Sequence, residues 1–462
     1  MQPIFLFNTL GRQKQEFKPI KDGQVGIYTC GLTVYDRGHV GNFRSFIFAD
    51  VLRRMLEKLG YAVMHVTNIT DVGHLVSDGD VGEDKLEKGA RREGKTAWEV
   101  ANEYTQLYLS DMKRVNLLVP TVMPKATDHI AEQIAMIEAI EKNGYVYLTS
   151  DGVYFDTSKL ADYGRLSGSV EAAGRPSVSR IGVSDEKRQA SDFALWKFSP
   201  KDETRHMEWE SPWGKGFPGW HIECSAMSEK YLGLPFDIHT GGIDHIAVHH
   251  ENEIAQAEAA RGALEANYWL HNEFLLIDGG KMSKSLNNTY SLDDLAAKGI
   301  SPLAYRYFVL GAHYKSPLNF TWEAAQGAQN ALNKLVDAVR TWDKPTEVEQ
   351  SLVDEFMTHA SNDLDTSGAL AVMWRLVGDE NMPSGVKGAT LLSLDEVLGL
   401  GLDEVVAKPI NISATAQTLL DKRAHARLAK DFEQSDVLRD QLAEQGLIVE
   451  DTPDGQRVRE HR

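Results

Sequence analysis

Two hydrophobic periods alternate along the first third of the chain. Val25, Ile27 and Tyr28 lead into Thr29-Cys30-Gly31, a short extended run broken by glycine. After a loop over 32–42, Ile47, Val51, Met55 and Leu59 recur every four residues, with Leu52 and Leu56 beside them. That spacing predicts one apolar helix face, which Gly60 is placed to end. Residues 61–66 then read as a second strand. A strand–helix–strand unit of this kind predicts an α/β fold with a doubly wound, Rossmann-type parallel sheet.

The pattern changes near residue 125. Ile130, Ile134, Ile137 and Ile140 mark a helix, and 145–148 with 153–155 a hairpin. The Gly/Ser-rich, charged stretch 164–191 reads as irregular. The expected organisation is a first half-domain over 1–125, a connective insertion over 126–191 and a second half-domain over 192–276. A connecting fold over 277–320, a helical bundle over 321–402 and a small C-terminal domain over 403–462 complete it. In the bundle Ala325, Ala328, Leu332, Leu335, Val336 and Val339 fit one helix face. Near the end Leu420, Ala424, Leu428, Leu438 and Leu442 do the same.

At 462 residues the chain is long enough for about three domains, each with its own core. No apolar run approaches the ~18 residues of a membrane span. The N-terminus lacks a basic segment followed by a long apolar one, so the expectation is a cytoplasmic protein without a signal peptide. The 49 Lys and Arg against 67 Asp and Glu leave a formal net charge of −18. That argues against a generic nucleic-acid binder but leaves room for a local basic patch. The two cysteines, Cys30 and Cys224, lie far apart. Without a secretion signal they read as buried thiols or as metal ligands rather than as a disulfide.

Residues 89–96, Gly-Ala-Arg-Arg-Glu-Gly-Lys-Thr, match the Walker A pattern letter for letter. A phosphate loop needs a buried strand before it, so that backbone N–H groups converge on the phosphate. What precedes is charged and helix-favouring, so the segment is expected to be solvated surface.

Two other motifs carry nucleotide chemistry. His39-Val40-Gly41-Asn42 stands at the start of the first long helix, where free N–H groups and the dipole favour a phosphate. Lys281-Met282-Ser283-Lys284-Ser285 follows Gly279-Gly280, and its lysines and serines suit a clamp on polyphosphate; a solvated basic turn is the alternative. Further on, His249 and Glu253 are spaced i, i+4, so a helix presents both on one face. With Cys30 and Cys224 they form a Cys₂-His-Glu set suited to four-coordinate zinc. His245 and His250 are alternative ligands, and a solvated helix beside two buried thiols is the alternative arrangement. The absence of His-Glu-x-x-His argues against a zinc protease.

Taken together, the His39–Asn42 and Lys281–Ser285 elements resemble the class I aminoacyl-tRNA synthetases. The resemblance sharpens to the cysteinyl-tRNA synthetase family in Cys30-Gly31-Leu32-Thr33-Val34-Tyr35-Asp36, in 219–228, in Asp237-Ile238-His239 with Gly241-Gly242-Ile243-Asp244, and in 249–256. Residues 268–272 and 281–288 continue it in the same order. The likeness implies ATP binding by His39, Gly41, Asn42, Lys281, Met282, Ser283, Lys284 and Ser285, with His39, Asn42, Lys281 and Lys284 stabilising the transition state. It implies one Zn²⁺ held by Cys30, Cys224, His249 and Glu253, Mg²⁺ with ATP, and a cysteine pocket including Cys30, Thr70, Trp220 and His239. The implied partners are L-cysteine, ATP and tRNA(Cys), with the chain a monomer.

Three departures stand out. Asn42 replaces the second histidine of the family's motif, and 73–80 departs from the acidic run usual after Thr70-Asp71. Asp244-His245-Ile246-Ala247-Val248 replaces the more usual Asp-Leu-Ile-Phe-Pro. His245 is expected at the surface, with a place beside the metal as the alternative. Two other functions share the core: a cysteine-activating ligase of mycothiol synthesis, and a non-catalytic RNA-binding paralogue. The basic C-terminal region, including Arg457, Arg459 and Arg462, favours the synthetase by offering a patch for RNA.

Overall fold

The computed structural model describes residues 2–73, 84–168, 186–200, 205–283, 286, 288–410, 412–452 and 455–460. A short antiparallel pair, β1 (Phe5–Asn8) and β2 (Gln13–Glu16), precedes the main sheet. Then β3 (Gln24–Thr29), α1 (Val40–Lys58) and β4 (Ala62–Thr67) form the expected unit, with β3 and β4 parallel. Ile47, Val51, Leu52, Met55 and Leu56 of α1 are buried, each worth ~1.5–3 kcal/mol of removed apolar surface. Gly60 follows the helix at φ +91°, a left-handed turn that a side chain would strain.

The Walker-like segment is a helix junction. Gly89 to Glu93 lie inside α2 (Lys85–Glu93), Gly94 closes it in the left-handed conformation, and Thr96 caps α3 (Ala97–Arg114). The Lys95 ammonium pairs with Glu93 and Glu103, as expected of surface.

The insertion is larger than expected. After α4 (Ile130–Lys142), strands β5 (Val146–Leu148) and β6 (Gly152–Phe155) form the hairpin. The next strands, β7 (Phe193–Phe198) and β8 (Gly216–Pro218), continue the same antiparallel sheet in the order β5-β6-β7-β8. The expected boundary at 191 therefore falls inside the insertion. Strand β7 is buried on both faces, and an apolar run of that kind does not reveal which sheet it joins.

The second half-domain begins with α5 (Trp220–Leu232) and β9 (Phe236–Gly242). A 3₁₀ turn (Ile243–His245) and a π turn (Ile246–His250) lead into α6 (Glu251–Arg261) and β10 (Ala266–Asn272). The main sheet has the order β10-β9-β3-β4, all parallel. Because β3 has β4 on one side and β9 on the other, the chain leaves it in opposite directions. A crevice opens at the carboxyl ends of the strands there, the usual ligand position in such sheets.

Beyond it, β11 (Leu275–Ile277) pairs with β12 (Gly280–Lys281), and α7 (Leu292–Ala297) and α8 (Pro302–Leu310) lead to β13 (Leu318–Phe320). The bundle comprises α9 (Trp322–Arg340), α10 (Gln350–Ala360), α11 (Thr366–Gly378) and α12 (Ser384–Leu398). All six apolar positions expected on α9 are buried.

The C-terminal part holds α13 (Ala414–Leu428), α14 (Phe432–Glu444) and the hairpin β14 (Leu447–Thr452) and β15 (Gly455–Glu460). The single apolar face expected from Leu420 to Leu442 is split between two helices. Lys430 turns at φ +60° and Asp431 caps α14, so Leu428 is left 82% exposed. No helix among the described residues is long and apolar enough to cross a membrane.

Candidate active site

One cleft gathers residues from four parts of the sequence. Cys30, Asp36, Arg37, His39, Asn42, Thr70, Trp220, Cys224, His245 and His249 all line it. Cys30 lies one residue past β3, and the Gly31 N–H beside it donates to Asn68 Oδ1 at 2.8 Å. Cys224 sits on α5, while His249 closes the π turn and Glu253 lies in the first turn of α6.

The donor atoms of Cys30, Cys224, His249 and Glu253 all lie within 4.8 Å of one another, and all four residues are buried. A tetrahedral zinc site with ordinary bond lengths has edges of about 3.3–3.8 Å, so modest contraction closes the set. His249 Nε2 meets Glu253 Oε1 at 3.0 Å, which confirms that the two share a face. With imidazoles packed around them, burial pushes the Cys30 thiol and the Glu253 carboxyl well above their usual ranges. Two buried thiols and a buried carboxyl match a divalent ion, which deprotonates its ligands. The residues present therefore fit zinc.

Partners behind these donors fix their rings. His221 Nδ1 meets His249 Nδ1 at 2.9 Å, which leaves Nε2 of His249 to face Glu253. His239 Nε2 meets Glu253 Oε2 at 2.9 Å. Burial holds His239 down to about 4, so it is neutral there. His239 is fully buried behind the metal set and is not part of the cleft lining, whereas Thr70 and Trp220 are. A second donor set, Cys30, His239, His250 and Glu253, shares two members with the first. Its His250 reaches His271 at 2.7 Å, and His271 reaches Thr9 Oγ1 at 2.8 Å. The sequence marked His271 only as part of the family likeness and gave His221 no role. The i, i+3 spacing of His221 and Cys224 on one helix was the available signal.

The nucleotide side is built on the start of α1. His39 Nδ1 accepts from the Asn42 N–H at 3.2 Å, and Asn42 Oδ1 accepts from the His39 N–H at 3.0 Å, a reciprocal capping box. The two nucleotide motifs meet, since a Cβ built on Gly41 lies 2.7 Å from Met282 Cε. The Val40 N–H donates to the Tyr290 carbonyl at 2.9 Å. Asn288 staples the second motif, accepting from the Ser283 N–H at 2.7 Å and donating to the Lys281 carbonyl at 3.1 Å. Lys281 is exposed on β12; Lys284 and Ser285 lie outside the described residues.

Sequence reasoning missed a charge network under this wall. Arg37 holds Asp111 through two bonds of 3.0 and 3.1 Å and also reaches Asp293 on α7. Arg114 meets both carboxylates at 2.7 Å. His245, expected at the surface, lines the cleft instead. The 3₁₀ turn at the end of β9 carries its ring inward, 5.2 Å from that of His249. The expected basic patch is largely paired: Arg459 meets Asp337 at 2.7 Å and Glu450, and Arg457 lies 3.6 Å from Asp337. Arg462 lies outside the described residues.

A parallel sheet with its cleft at the β3 switch point, a capped signature helix and a second lysine-bearing motif against it define the class I aminoacyl-tRNA synthetases. Solved structures share the fold. Methionyl-tRNA synthetase of Mycobacterium tuberculosis in complex with methionyl-adenylate superposes with TM-score 0.54 at 15% identity, covering 89% of this chain and 96% of that one. The Agrobacterium radiobacter K84 agnB2 LeuRS in its ternary complex gives TM-score 0.57 at 12% identity, covering 85% and 87%.

Residues 16–330 match the tRNA synthetases class I (C) catalytic domain, and 411–459 match the cysteinyl-tRNA ligase anticodon binding domain. Cysteine–tRNA ligase 1 of Burkholderia lata is 52% identical over 99% of this chain and 97% of its own length. The cysteine–tRNA ligase of Treponema denticola is 42% identical over 96% and 97%. The chain belongs to the cysteinyl-tRNA synthetase family, and is thus a ligase of translation.

Proposed function

We propose that the chain activates L-cysteine with ATP and transfers it to the 3′-terminal ribose of tRNA(Cys), selecting cysteine through a zinc ion. Cys30, Cys224, His249 and Glu253 would hold the ion, which supplies a soft Lewis acid for a thiolate that serine's hydroxyl cannot replace. A hydrophobic pocket separates such near-isosteres by only ~10²-fold, so ligation removes the need for a separate editing site. Thr70 and Trp220 wall the same cleft, the indole lying 4.4 Å from the His249 ring.

In the first step a carboxylate oxygen of cysteine attacks the α-phosphorus of ATP, and the bond to pyrophosphate breaks. ATP brings its Mg²⁺ with it. Because His39 Nδ1 accepts a backbone N–H, the neutral ring carries its hydrogen on Nε2 and donates to phosphate oxygen. Asn42 Oδ1 is taken by the His39 N–H, which leaves the Nδ2 amide to donate. The α1 dipole and the ammonium groups of Lys281 and Lys284 add positive potential where pyrophosphate leaves. In the second step a ribose hydroxyl attacks the acyl carbon and AMP departs, taking up the hydroxyl proton through its phosphate or solvent. No protein nucleophile takes part, and positioning does most of the work.

The observation that carries this reading is the convergence of four buried donors, three of which, Cys30, Cys224 and His249, line the cleft that His39 and Asn42 also line. The C-terminal match supports tRNA as acceptor over an amino sugar. Transfer of labelled cysteine to bulk tRNA, with and without prior zinc chelation, tests it. Zinc-dependent charging that serine does not support is the expected result. Cysteine-dependent ATP–pyrophosphate exchange without charging of any tRNA would point to the amino-sugar ligase instead.

A further inference from the structure

Position 245 departs from the family's usual leucine, and the structure turns that departure toward the cleft. His245 ends the 3₁₀ turn at the carboxyl end of β9. Its ring lies 5.1 Å from that of His250 and stands edge-on to Trp220 at 6.3 Å. Among the described residues neither of its nitrogens meets a hydrogen-bond partner. An imidazole that lines a cleft with no protein partner is available to a ligand.

The two nitrogens differ. Nδ1 is sealed from water, and a Cβ built on Gly241 would lie 2.7 Å from it and 2.6 Å from His250 Cε1, so a Gly241 Cα–H packs between the two rings and against that nitrogen. A hydrogen on Nδ1 would meet that C–H head-on, whereas a lone pair accepts it as a weak contact. The neutral ring therefore carries its hydrogen on Nε2, the edge away from Gly241, which lines the cleft.

We propose that His245 Nε2–H donates to a carboxylate oxygen of the bound amino acid, the group that becomes the acyl phosphate. The inference rests on cysteine being the substrate, as proposed above. With the thiol at the Cys30–Cys224–His249–Glu253 set, the carboxylate lies ~4 Å from the sulfur by bond lengths alone. A donor one ring away from His249 reaches that zone. It repels the α-ammonium, which needs acceptors, and so selects the carboxylate.

Cysteamine keeps the thiol and ammonium of cysteine but lacks the carboxylate, so it separates the two ends. ATP–pyrophosphate exchange is measured for the wild type, His245→Leu, His245→Gln and His245→Asn, with zinc content as a control. The expected result is a rise of about tenfold or more in KM for cysteine in His245→Leu, matching one donor to a charged group. KM for ATP, inhibition by cysteamine and zinc content stay at wild-type levels. Glutamine, whose amide nitrogen stands near the ring Nε2, restores KM to within about threefold, and asparagine, which mimics Nδ1, does not. Equal weakening of cysteine and cysteamine, no change in either, or identical behaviour of the Gln and Asn variants would overturn the proposal. If His245→Leu does not fold, the Gln and Asn pair decides alone. Wild-type exchange that ignores cysteine would instead overturn the substrate reading, and this one with it.

Discussion

His39 and Asn42 satisfy each other at the start of α1, ring nitrogen to backbone N–H at 3.2 Å and side-chain oxygen to backbone N–H at 3.0 Å. The side chain of the asparagine that replaces the motif's second histidine thus takes the N–H of the N-cap, while its backbone N–H orients the His39 ring. Asn42→Ala is expected to cost about 1 kcal/mol of stability and to slow ATP–pyrophosphate exchange. Asn42→Asp keeps the accepting oxygen and loses the amide donor. Its thermal midpoint should match the wild type while exchange falls by about tenfold or more. Equal exchange rates in the wild type and the Asp variant would remove Asn42 from nucleotide binding.

Gly41 is needed for space rather than for backbone freedom. An added Cβ meets Met282 Cε at 2.7 Å and the His39 ring at 3.1 and 3.2 Å. Gly41→Ala should raise KM for ATP by prising the two nucleotide motifs apart. Adding Met282→Ala should recover part of that loss, because the flexible thioether is the closer neighbour. Steady-state exchange on the two variants checks both statements.

His65 gives the fold a defined acid sensitivity. Its Nε2 meets Thr29 and Thr67 hydroxyls at 2.9 and 3.2 Å, and burial holds its pKa down to about 3. The unfolded chain takes up the proton near pH ~6.5 and the folded chain does not, so stability is full above that value. It falls as pH drops toward 3, by up to ~1.4 kcal/mol per pH unit. Urea unfolding at about pH 5 and about pH 7.5 should show a shallower pH slope in His65→Asn than in the wild type. Other buried histidines share the trend, so the difference between the two proteins is the quantity to read.

Purified chain should carry about one zinc, lost on chelation together with several degrees of thermal stability. Cys224→Ser should lower zinc occupancy, because a hydroxyl is a poor soft ligand. Trp220 reports the same site optically, since its indole rests on the His249 ring at 4.4 Å. Elemental analysis alongside tryptophan fluorescence during cysteine titration measures both. Wild-type zinc content in Cys224→Ser would take Cys224 out of the ligand set.

What the sequence made legible was what local period and short spacing determine. The buried face of α1 and the His249–Glu253 pair follow from helical geometry alone. That Cys30 joins them depends on β3 lying beside β9, a long-range pairing that no local pattern encodes. For the same reason the expected boundary at 191 cuts through the antiparallel sheet that β7 joins, because an apolar run names no neighbour. Leu428 fitted a helical stripe by its letter, but the left-handed turn at Lys430 ends the stripe there. His245 followed neither period, because consecutive 3₁₀ and π turns rotate side chains off the α-helical wheel.

The C-terminal unit has its own small apolar core of Ala416, Leu420, Leu442, Leu447 and Val449, separate from the core that includes the bundle. Its hairpin meets α9 through Arg457, Arg459 and Asp337. Its internal cohesion is therefore hydrophobic while this seam is ionic, and the two respond differently to dissolved salt. Rising ionic strength screens the more exposed Arg457–Asp337 pair first, the more buried Arg459–Asp337 pair less, and leaves the small core intact. Salt therefore bears on the attachment of the last unit before it bears on its folding.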